Sequence, residues 1–384
     1  MNLIRIILIC FTILVTACSK SGSGGNSPAP PVPTPTPTPL NPNAVRGMWI
    51  TTTASTALNS LQNIKATVAN CKAANINNLY VVVYNNAGTT YPSQVMNQLI
   101  GRLIKPEFTG RDPLAEIIQE AHAQGLKVHA WFEYGFAASF SANGGPIVQA
   151  KPNWAGKDVN GNLVTKNGFD WLNAFDPEVQ NFLISLFKEV VTNYNVDGVQ
   201  GDDRLPAMPT SGGYDAYTVN LYQSENNGMN PSSNGNDAGW IQWRAKKLNQ
   251  FLKRLRTEVK AIKPNIDFSM SPSVYPFSLN EYLQDWPTWV DSGWVDKVMP
   301  QVYRYDINAY TATLNAVKNN LKGITANCYP GVLLKSGNYT ASDAFLNQMV
   351  QLNRTLGFAG EVFFFYEGLP ERQNWFTVSY PSIK

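Results

Sequence analysis

The chain has 384 residues, of which 44% are hydrophobic and 12% aromatic, enough apolar surface for one large folded body. Its formal net charge is only +3, and its 30 lysines and arginines are scattered rather than grouped into a basic stripe. No nucleic-acid-binding motif is present either, so nucleic acid is not expected as a partner.

The N-terminal residues contain two segments that are not expected to fold. Arg5 precedes an apolar run over residues 6–15, which is shorter than the roughly 20 residues that a membrane-spanning helix needs. The run ends in VTAC, which resembles a bacterial lipobox, so residues 1–17 are predicted to be a signal peptide and Cys18 to be acylated. An ordinary secretory signal with a chance cysteine is the alternative.

Residues 18–44 are predicted to be a linker, because they are rich first in Gly and Ser and then in Pro and Thr. The linker would hold a folded body away from a membrane to which the acyl chains attach it. The sequence therefore predicts a lipid-anchored protein of the bacterial cell envelope, at the outer membrane, in the periplasm or on the cell surface.

From residue 45 onward, apolar runs of strand length alternate with segments of helical period. Eight strands are predicted: RGMWIT (46–51), NLYVVVY (78–84), KVHAWFE (127–133), DGVQGDD (197–203), DFSMSPSV (267–274), DKVMPQVY (296–303), CYPGVLL (328–334) and EVFFFYE (361–367). Strands that are apolar on both faces are typical of a parallel sheet covered by helices. Eight such units predict an α/β fold, a (β/α)8 TIM barrel over residues 45–384. A doubly wound open sheet is the alternative, but no Gly-x-Gly-x-x-Gly turn follows any of these strands.

Three helices have clear boundaries in the sequence. Asp112 and Asp176 are each followed by proline, which predicts a helix start at both places, and Gly125 can end the first of these helices. A third, long helix is predicted from about Trp240 to Ile262 by its apolar period.

The predicted barrel carries extra residues at one end. A minimal barrel needs about 250 residues, so roughly 90 are left over. They fall mainly in residues 134–175 and 204–239, after the third and fourth strands, at the face where barrel active sites are built. Within the first insertion, KDVNGNLVTKNG predicts a hairpin that turns at Asn160 and Gly161.

In a barrel, the residues that end the strands converge on one cleft. The residues expected there are Trp49, Thr51, Tyr84, Asn85, Asn86, Trp131, Glu133, Asp202, Asp203, Arg204, Ser271, Tyr275, Gln301, Tyr303, Arg304, Lys335, Tyr366 and Glu367. This set is rich in carboxylates, amides and aromatic rings, as hydrolysis of a glycosidic bond requires. The two histidines, His122 and His129, are interpreted as structural, and no metal pair, Ser-His-Asp triad or P-loop motif is evident. No metal and no cofactor are implied.

Four motifs in chain order, VRGMWITT, GLKVHAWFEYGF, VDGVQGDDR and VMPQVYR, resemble the glycosyl hydrolase-like family 10 barrels. The resemblance covers residue 45 to the C-terminus, and it implies a secreted or lipid-anchored bacterial protein of glycan or cell-wall breakdown. The fourth strand is also similar to the Asp-Gly-x-Asp-x-Asp-x-Glu strand of family-18 chitinases. Because Gln200 and Arg204 replace two of its acids, the chitinase mechanism is not carried over.

Two adjacent acids in the fourth strand are the first catalytic candidates. Asp202 is expected to be the nucleophile or base, with its pKa held down by Arg204 or Arg304. Side chains alternate along a strand, so Asp203 is either a partner of Asp202 or the reacting group itself, depending on where the strand ends. An alternative is that both acids cap the following loop.

The general acid is expected on another strand. Glu133 is favoured, since its aromatic neighbours would stabilise the protonated carboxyl, and Glu367 is the second candidate. Either acid could instead bind substrate or form an ion pair. The residues expected to bind substrate are Trp49, Tyr84, Asn85, Trp131, Arg204, Gln301, Tyr303, Arg304 and Tyr366.

The sequence thus predicts a monomeric glycoside hydrolase that acts on a polysaccharide or a peptidoglycan-type glycan by carboxylate chemistry. A non-catalytic carbohydrate-binding lipoprotein is the alternative. Cys71 and Cys328 are expected to be buried thiols rather than a disulfide.

Overall fold

The structure, a computed structural model, describes residues 44–380. The predicted signal peptide, Cys18 and the linker up to residue 43 lie outside the described residues. Within the described range, no helix has the length and apolar character needed to span a membrane.

Eight parallel strands form the centre of the fold. They are β1 (Arg46–Ile50), β2 (Asn78–Val82), β3 (Lys127–Phe132), β4 (Gly198–Gly201), β5 (Asp267–Met270), β6 (Lys297–Val298), β7 (Gly331–Leu333) and β8 (Glu361–Phe364). Their order in the sheet is β6-β5-β4-β3-β2-β1-β8-β7. Parallel bridges between Val298 and Cys328 and between Gln301 and Gly331 join β6 to β7, so the sheet closes into a barrel. All eight predicted strands and the (β/α)8 fold are confirmed.

Helices alternate with the strands along the chain. They are α1 (Leu61–Ala73), α2 (Gln94–Ile100), α3 (Pro113–Ala123), α4 (Gly145–Ala150), α5 (Pro177–Asn193), α6 (Ala216–Glu225), α7 (Ala238–Ile262), α8 (Phe277–Tyr282), α9 (Trp286–Asp291), α10 (Ile307–Asn320) and α11 (Asp343–Thr355). Short helical turns over Tyr366–Gly368, Pro370–Arg372 and Trp375–Ser379 follow β8.

The predicted helix starts are confirmed by their caps. Asp112 accepts a hydrogen bond from the backbone N–H of Ala115, and Asp176 accepts one from that of Glu178. The long helix starts at Ala238, two residues before the prediction, because Asp237 caps it through the N–H of Trp240.

Short antiparallel strands are present at the carboxyl end of the barrel. They lie in the loops after β2 (Tyr84–Asn85 with Gly88–Thr89), β3 (Ala137–Phe140, Thr165–Lys166 and Phe169–Trp171) and β7 (Lys335–Ser336 with Tyr339–Thr340). The predicted turn at Asn160 and Gly161 is confirmed, because Lys157 and Leu163 pair across it and Gly161 has a φ of +80°.

Inside the barrel, side chains stack in layers. In the lowest layer, His129 stacks on Tyr80 with ring centroids 4.6 Å apart, and its Nε2 lies 2.8 Å from Oδ1 of Asn78. Burial lowers the pKa of His129 to about 4, so the ring is neutral at physiological pH. Gly198 makes room for it, since a Cβ there would lie 2.1 Å from Nδ1 of His129. His129 is therefore a structural residue, as predicted.

The next layer is built around Gln200. Its Oε1 accepts a hydrogen bond of 2.7 Å from the indole N–H of Trp49, and its Nε2 lies 3.3 Å from Oγ of Ser269. Trp131 belongs to the same layer, with its ring 6.4 Å from that of Trp49. The layer fills the barrel beneath the carboxyl ends of the strands.

Candidate active site

A layer of polar side chains lies inside the barrel at the carboxyl ends of the strands. Its members are set by the alternation of side chains along each strand, in which every second residue points inward. Glu133 is two residues beyond Trp131, and Asp202 is two residues beyond Gln200, so each acid points inward above its predecessor. Thr51 and Ser271 stand in the same relation to Trp49 of β1 and Ser269 of β5, and Gln301 to Met299, the residue after β6. The sequence period therefore places polar side chains from five strands in one layer.

Arg204 joins three carboxylates of this layer and its rim. Its Nη2 lies 2.9 Å from Oδ2 of Asp202 and 3.9 Å from Oε1 of Glu133, and its Nη1 lies 2.8 Å from Oδ1 of Asp203. Its Nε donates a hydrogen bond of 3.0 Å to the backbone carbonyl of Glu133. Three acids thus share one guanidinium. This cluster of one cation and three carboxyl groups carries a net negative charge when all three acids are ionised.

Asp202 is the most deeply placed of the three acids. Its side chain is 3% exposed, and Oδ1 accepts hydrogen bonds from Gln301 at 2.8 Å and from Ser271 at 3.2 Å. Burial raises the pKa of Asp202 well above its ordinary value, and the charge of Asp203 adds to this, while Arg204 opposes it. Arg204 lowers this pKa, as expected, but one shared cation does not offset the loss of water, so the net shift is upward and not downward as predicted.

Asp203 reaches the same guanidinium although it is adjacent to Asp202. β4 ends at Gly201, and the N–H of Leu205 bonds back to the carbonyl of Asp202 in a turn, so strict alternation no longer applies. The Asp203 side chain is 23% exposed, the most of the three. Burial raises its pKa too, and Arg204 again opposes the shift.

Glu133 is held by hydrogen-bond donors. Its Oε2 accepts from Nδ2 of Asn85 at 2.9 Å and from Oγ1 of Thr51 at 3.2 Å, and its side chain is 13% exposed. Lys105 extends this network through Thr52, whose Oγ1 lies 3.4 Å from the ammonium group. Burial lowers the pKa of Lys105, while the charges of Glu107 and Glu133 oppose the shift. Glu133 is therefore held by two hydrogen-bond donors and lies near a cation.

Aromatic rings enclose the guanidinium. Phe169, from the hairpin after β3, lies with its ring centre 4.6 Å from the Arg204 guanidinium carbon, and the ring of Tyr134 lies 5.7 Å away. Tyr303 also senses the charged cluster, since burial first and then the charges of Asp202 and Asp203 raise its pKa. No sequence pattern marks Phe169 as a site residue, because nothing in its insertion indicates the direction in which each ring points.

Two further residues contribute to the site although no sequence pattern marks them. Gln284 donates a hydrogen bond of 3.1 Å to the backbone carbonyl of Asp202. Lys105 lies near Glu133 although it precedes β3 by more than twenty residues. Neither residue ends a strand, so a search of strand ends does not find them.

Several residues predicted at the cleft lie elsewhere. Trp49 and Trp131 are 1% and 2% exposed inside the barrel, one layer below the acids. Tyr84 is fully buried against Phe182 of α5. Tyr366 points to α1, where its hydroxyl accepts a hydrogen bond of 3.1 Å from Asn70. These four side chains pack the fold, and their burial argues against the predicted contact with substrate.

Glu367 and Arg304, which were also predicted at the cleft, contact residues of the loops. Glu367 accepts hydrogen bonds from Oγ of Ser55 at 2.7 Å and from the N–H of Thr56 at 3.1 Å, so it anchors the loop after β1. Nη1 of Arg304 donates to the carbonyl of Tyr303 at 2.7 Å.

The remaining strand-end residues also have local partners. Lys335 pairs with Glu371, and Oδ1 of Asn86 accepts from the N–H of Phe140 at 3.3 Å. The ring of Tyr275 packs 6.4 Å from that of Trp286. Among residues 44–380, no group of three or more His, Cys, Asp or Glu side chains is arranged to hold a metal ion.

A closed parallel barrel with carboxylates at the carboxyl ends of its strands is the architecture of barrel glycosidases. Solved structures of that class share the fold. The PgaB glycoside hydrolase domain from Bordetella bronchiseptica matches with a TM-score of 0.64 at 13% identity, over 87% of this chain and 99% of that domain. α-L-Fucosidase isoenzyme 2 from Paenibacillus thiaminolyticus matches with a TM-score of 0.63 at 16% identity, over 88% of this chain and 49% of that one.

The chain belongs to the glycosyl hydrolase-like 10 family, whose model matches residues 44–348. Glycosyl hydrolase DigH of Escherichia coli (strain K12) is 28% identical over 270 residues, which cover 61% of this chain and 58% of that protein. Glycosyl hydrolase YngK of Bacillus subtilis (strain 168) is 24% identical over 291 residues, covering 67% and 52%. The match thus spans little more than half the length of these relatives. The resemblance found in the sequence is confirmed.

Proposed function

We propose that the protein hydrolyses O-glycosidic bonds in a polysaccharide or a peptidoglycan-type glycan by carboxylate catalysis. The observation that carries the proposal is the sharing of one guanidinium by Glu133, Asp202 and Asp203, at 3.9, 2.9 and 2.8 Å. Such a group can hold one proton among its acids while another acid remains ionised, which is what the reaction needs. The names of the relatives DigH and YngK as glycosyl hydrolases support the same reaction.

The environments of the three acids suggest a division of roles. Asp203 has a raised pKa and is the most exposed of the three, so we assign it as the proton donor to the leaving oxygen. Glu133 is surrounded by donors, so we assign it as the anion that attacks the anomeric carbon or deprotonates the attacking water. Asp202, buried beneath them, positions Arg204. This assignment exchanges the roles that the sequence suggested for Glu133 and for the acids of β4.

The test is an assay for new reducing ends. The purified protein would be incubated with a panel of polysaccharides and with peptide-free peptidoglycan strands. Asp203→Asn and Glu133→Gln should each lower kcat by about 10²- to 10⁴-fold. The control is Asp291→Asn on α9, which alters an exposed acid paired with Lys322. Circular dichroism of each variant would verify folding.

A substrate with a good leaving group distinguishes the proton donor from the nucleophile or base. An aryl glycoside whose phenol departs without protonation should restore most of the rate to Asp203→Asn and none to Glu133→Gln. The opposite pattern would overturn the assignment. Binding of glycans without new reducing ends by the wild-type protein would refute catalysis and favour the non-catalytic carbohydrate-binding lipoprotein.

We also propose that acylated Cys18 attaches the protein to the bacterial cell envelope. The basis is the sequence alone, namely the apolar run, the VTAC segment and the linker. Expression of Cys18→Ser should move the protein from the membrane fraction to the soluble fraction. Retention of this variant in the membrane would contradict the anchor.

A further inference from the structure

Two tyrosines form an aromatic pair on the rim of the barrel. Tyr305 follows β6 and is 47% exposed, and Tyr339 lies in the hairpin after β7. Their ring centroids are 4.8 Å apart and the planes meet at 80°, an edge-to-face arrangement. β6 and β7 are neighbours in the closed barrel, which is why the two loops meet.

Tyr305 is the last residue of segment 301–305, whose first residue contacts an acid of the site. Gln301 donates to Asp202 at 2.8 Å, and Tyr303, two residues on, has its pKa raised by burial and by the charges of Asp202 and Asp203. Tyr305 is two residues beyond Tyr303. Four residues of extended chain span at most about 14 Å. The aromatic pair is therefore within a few sugar units of the carboxylates.

The hairpin that carries Tyr339 is fixed in place. Lys335 pairs with Glu371, and Oγ1 of Thr340 donates to Oε2 of Glu371 at 2.6 Å. Nε of Arg372 donates to the carbonyl of Ala341 at 2.6 Å, just after the hairpin. A ring held in this way loses little entropy when it binds a ligand.

We propose that Tyr305 and Tyr339 form a subsite for a pyranose ring of the same glycan, a few units away from the bond that is cut. A pyranose has an apolar C–H face that fits a tyrosine ring. The inference builds on the proposed function, since it assumes that the bound polymer passes the acids. It extends that function by assigning a glycan long enough to reach from Asp202 to the rim.

The test begins with binding, because binding does not require turnover. Isothermal titration of the Asp203→Asn protein would use peptide-free peptidoglycan strands and chito-oligosaccharides from disaccharide to octasaccharide as probes. Tyr305→Ala and Tyr339→Ala, each combined with Asp203→Asn, should weaken binding of the long probes about three- to tenfold and leave the shortest bound probe unaffected. Tyr305→Trp in the same background should retain the affinity. The matched control is Tyr217→Ala on α6, which removes a tyrosine that is 41% exposed.

Kinetics give the second readout. On a cleaved polymer, Tyr305→Ala should raise KM by the same factor with kcat unchanged, as for the loss of uniform binding. Equal affinity of Tyr305→Ala and the unsubstituted protein for every bound probe would overturn the subsite while leaving the hydrolase proposal intact. Binding without cleavage by the wild-type protein, but weakened by Tyr305→Ala, would support the subsite and refute catalysis. A wild-type protein that binds no probe would refute both.

Discussion

At the scale of single residues, Arg204 sets the electrostatics of the site. It neutralises part of the charge of Asp202 and Asp203, and the two carboxylates in turn raise its own pKa against the effect of burial. Phe169 covers the guanidinium, which keeps water from one of its faces. The acids therefore interact in a medium of lower polarity than water, where protonation of one carboxyl is favoured.

The raised pKa of Asp202 predicts a pH dependence of stability. Because its pKa is higher in the folded than in the unfolded protein, the stability it contributes is fully present below the unfolded value of about 3.9. That contribution is lost as the pH rises through the folded value. The free energy of unfolding of the wild type should therefore fall, relative to that of Asp202→Asn, as the pH rises above about 4.

Urea denaturation at several pH values measures this difference. Asp291→Asn serves as the control, since Asp291 is 45% exposed and pairs with a lysine at the surface. A constant difference between wild type and Asp202→Asn across the pH range would show that the carboxyl has the same pKa in both states.

At the scale of elements, helix caps also connect one unit of the barrel to the next. Oδ1 of Asp112 caps α3 through the N–H of Ala115, and its Oδ2 accepts a hydrogen bond of 2.7 Å from the hydroxyl of Tyr194. Tyr194 directly follows α5, so this single carboxylate joins α3 to the end of α5. Asp112 thus stabilises the start of its own helix and also the contact between α3 and the end of α5.

Asp112→Ala should lower the free energy of unfolding by about 1–3 kcal/mol, from the lost cap and the lost hydrogen bond. Tyr194→Phe removes only the second contact and should cost about 1 kcal/mol. Chemical denaturation of both variants and of the double variant gives the coupling between them. If the two losses simply added, the link between the helices would not exist.

At the scale of the whole molecule, a buried ion pair connects the last strand to the C-terminal segment. Glu361 at the start of β8 is fully buried, and Arg354 at the end of α11 donates to both of its oxygens at 2.8 Å. Tyr380 donates to Oε1 at 2.5 Å and Asn353 to Oε2 at 3.1 Å. The strand that completes the barrel is thereby joined to its helix and to the chain that follows.

Glu361→Gln should lower the free energy of unfolding by about 3–5 kcal/mol, because it leaves the buried guanidinium of Arg354 unpaired. The double variant Glu361→Gln with Arg354→Met should recover part of the loss, since it removes the unpaired charge as well. Thermal or urea unfolding checks both values. A double variant no more stable than Glu361→Gln would show that packing, rather than the charge, sets the cost.

The two cysteines of the folded body are buried and not joined in a disulfide. Cys71 on α1 and Cys328 before β7 are both free and buried, as expected from the sequence, and burial raises the pKa of each thiol. Both residues act as small hydrophobic side chains in the core.

The sequence by itself determined the eight strands, the capped helices and the presence of acids at the ends of β3 and β4. These features depend on side-chain period and on hydrogen bonds between residues a few positions apart, such as Asp176 with Glu178. The positions of Glu133 and Asp202 at strand ends also predicted that both acids lie at the same end of the barrel. Local patterns of this kind are readable because the chain itself fixes the geometry over such short distances.

Only the tertiary structure decided how the acids share a cation and which rings face them. Asp203 reaches Arg204 because β4 stops at Gly201, and Glu367 binds Ser55, 312 positions away in the chain, instead of joining the acids. Trp49 and Trp131 lie in the barrel interior, where their rings pack 6.4 Å apart in the layer beneath the acids. Contacts between distant segments, and the loss of water that they cause, depend on how the barrel closes, and no local pattern in the sequence records that closure.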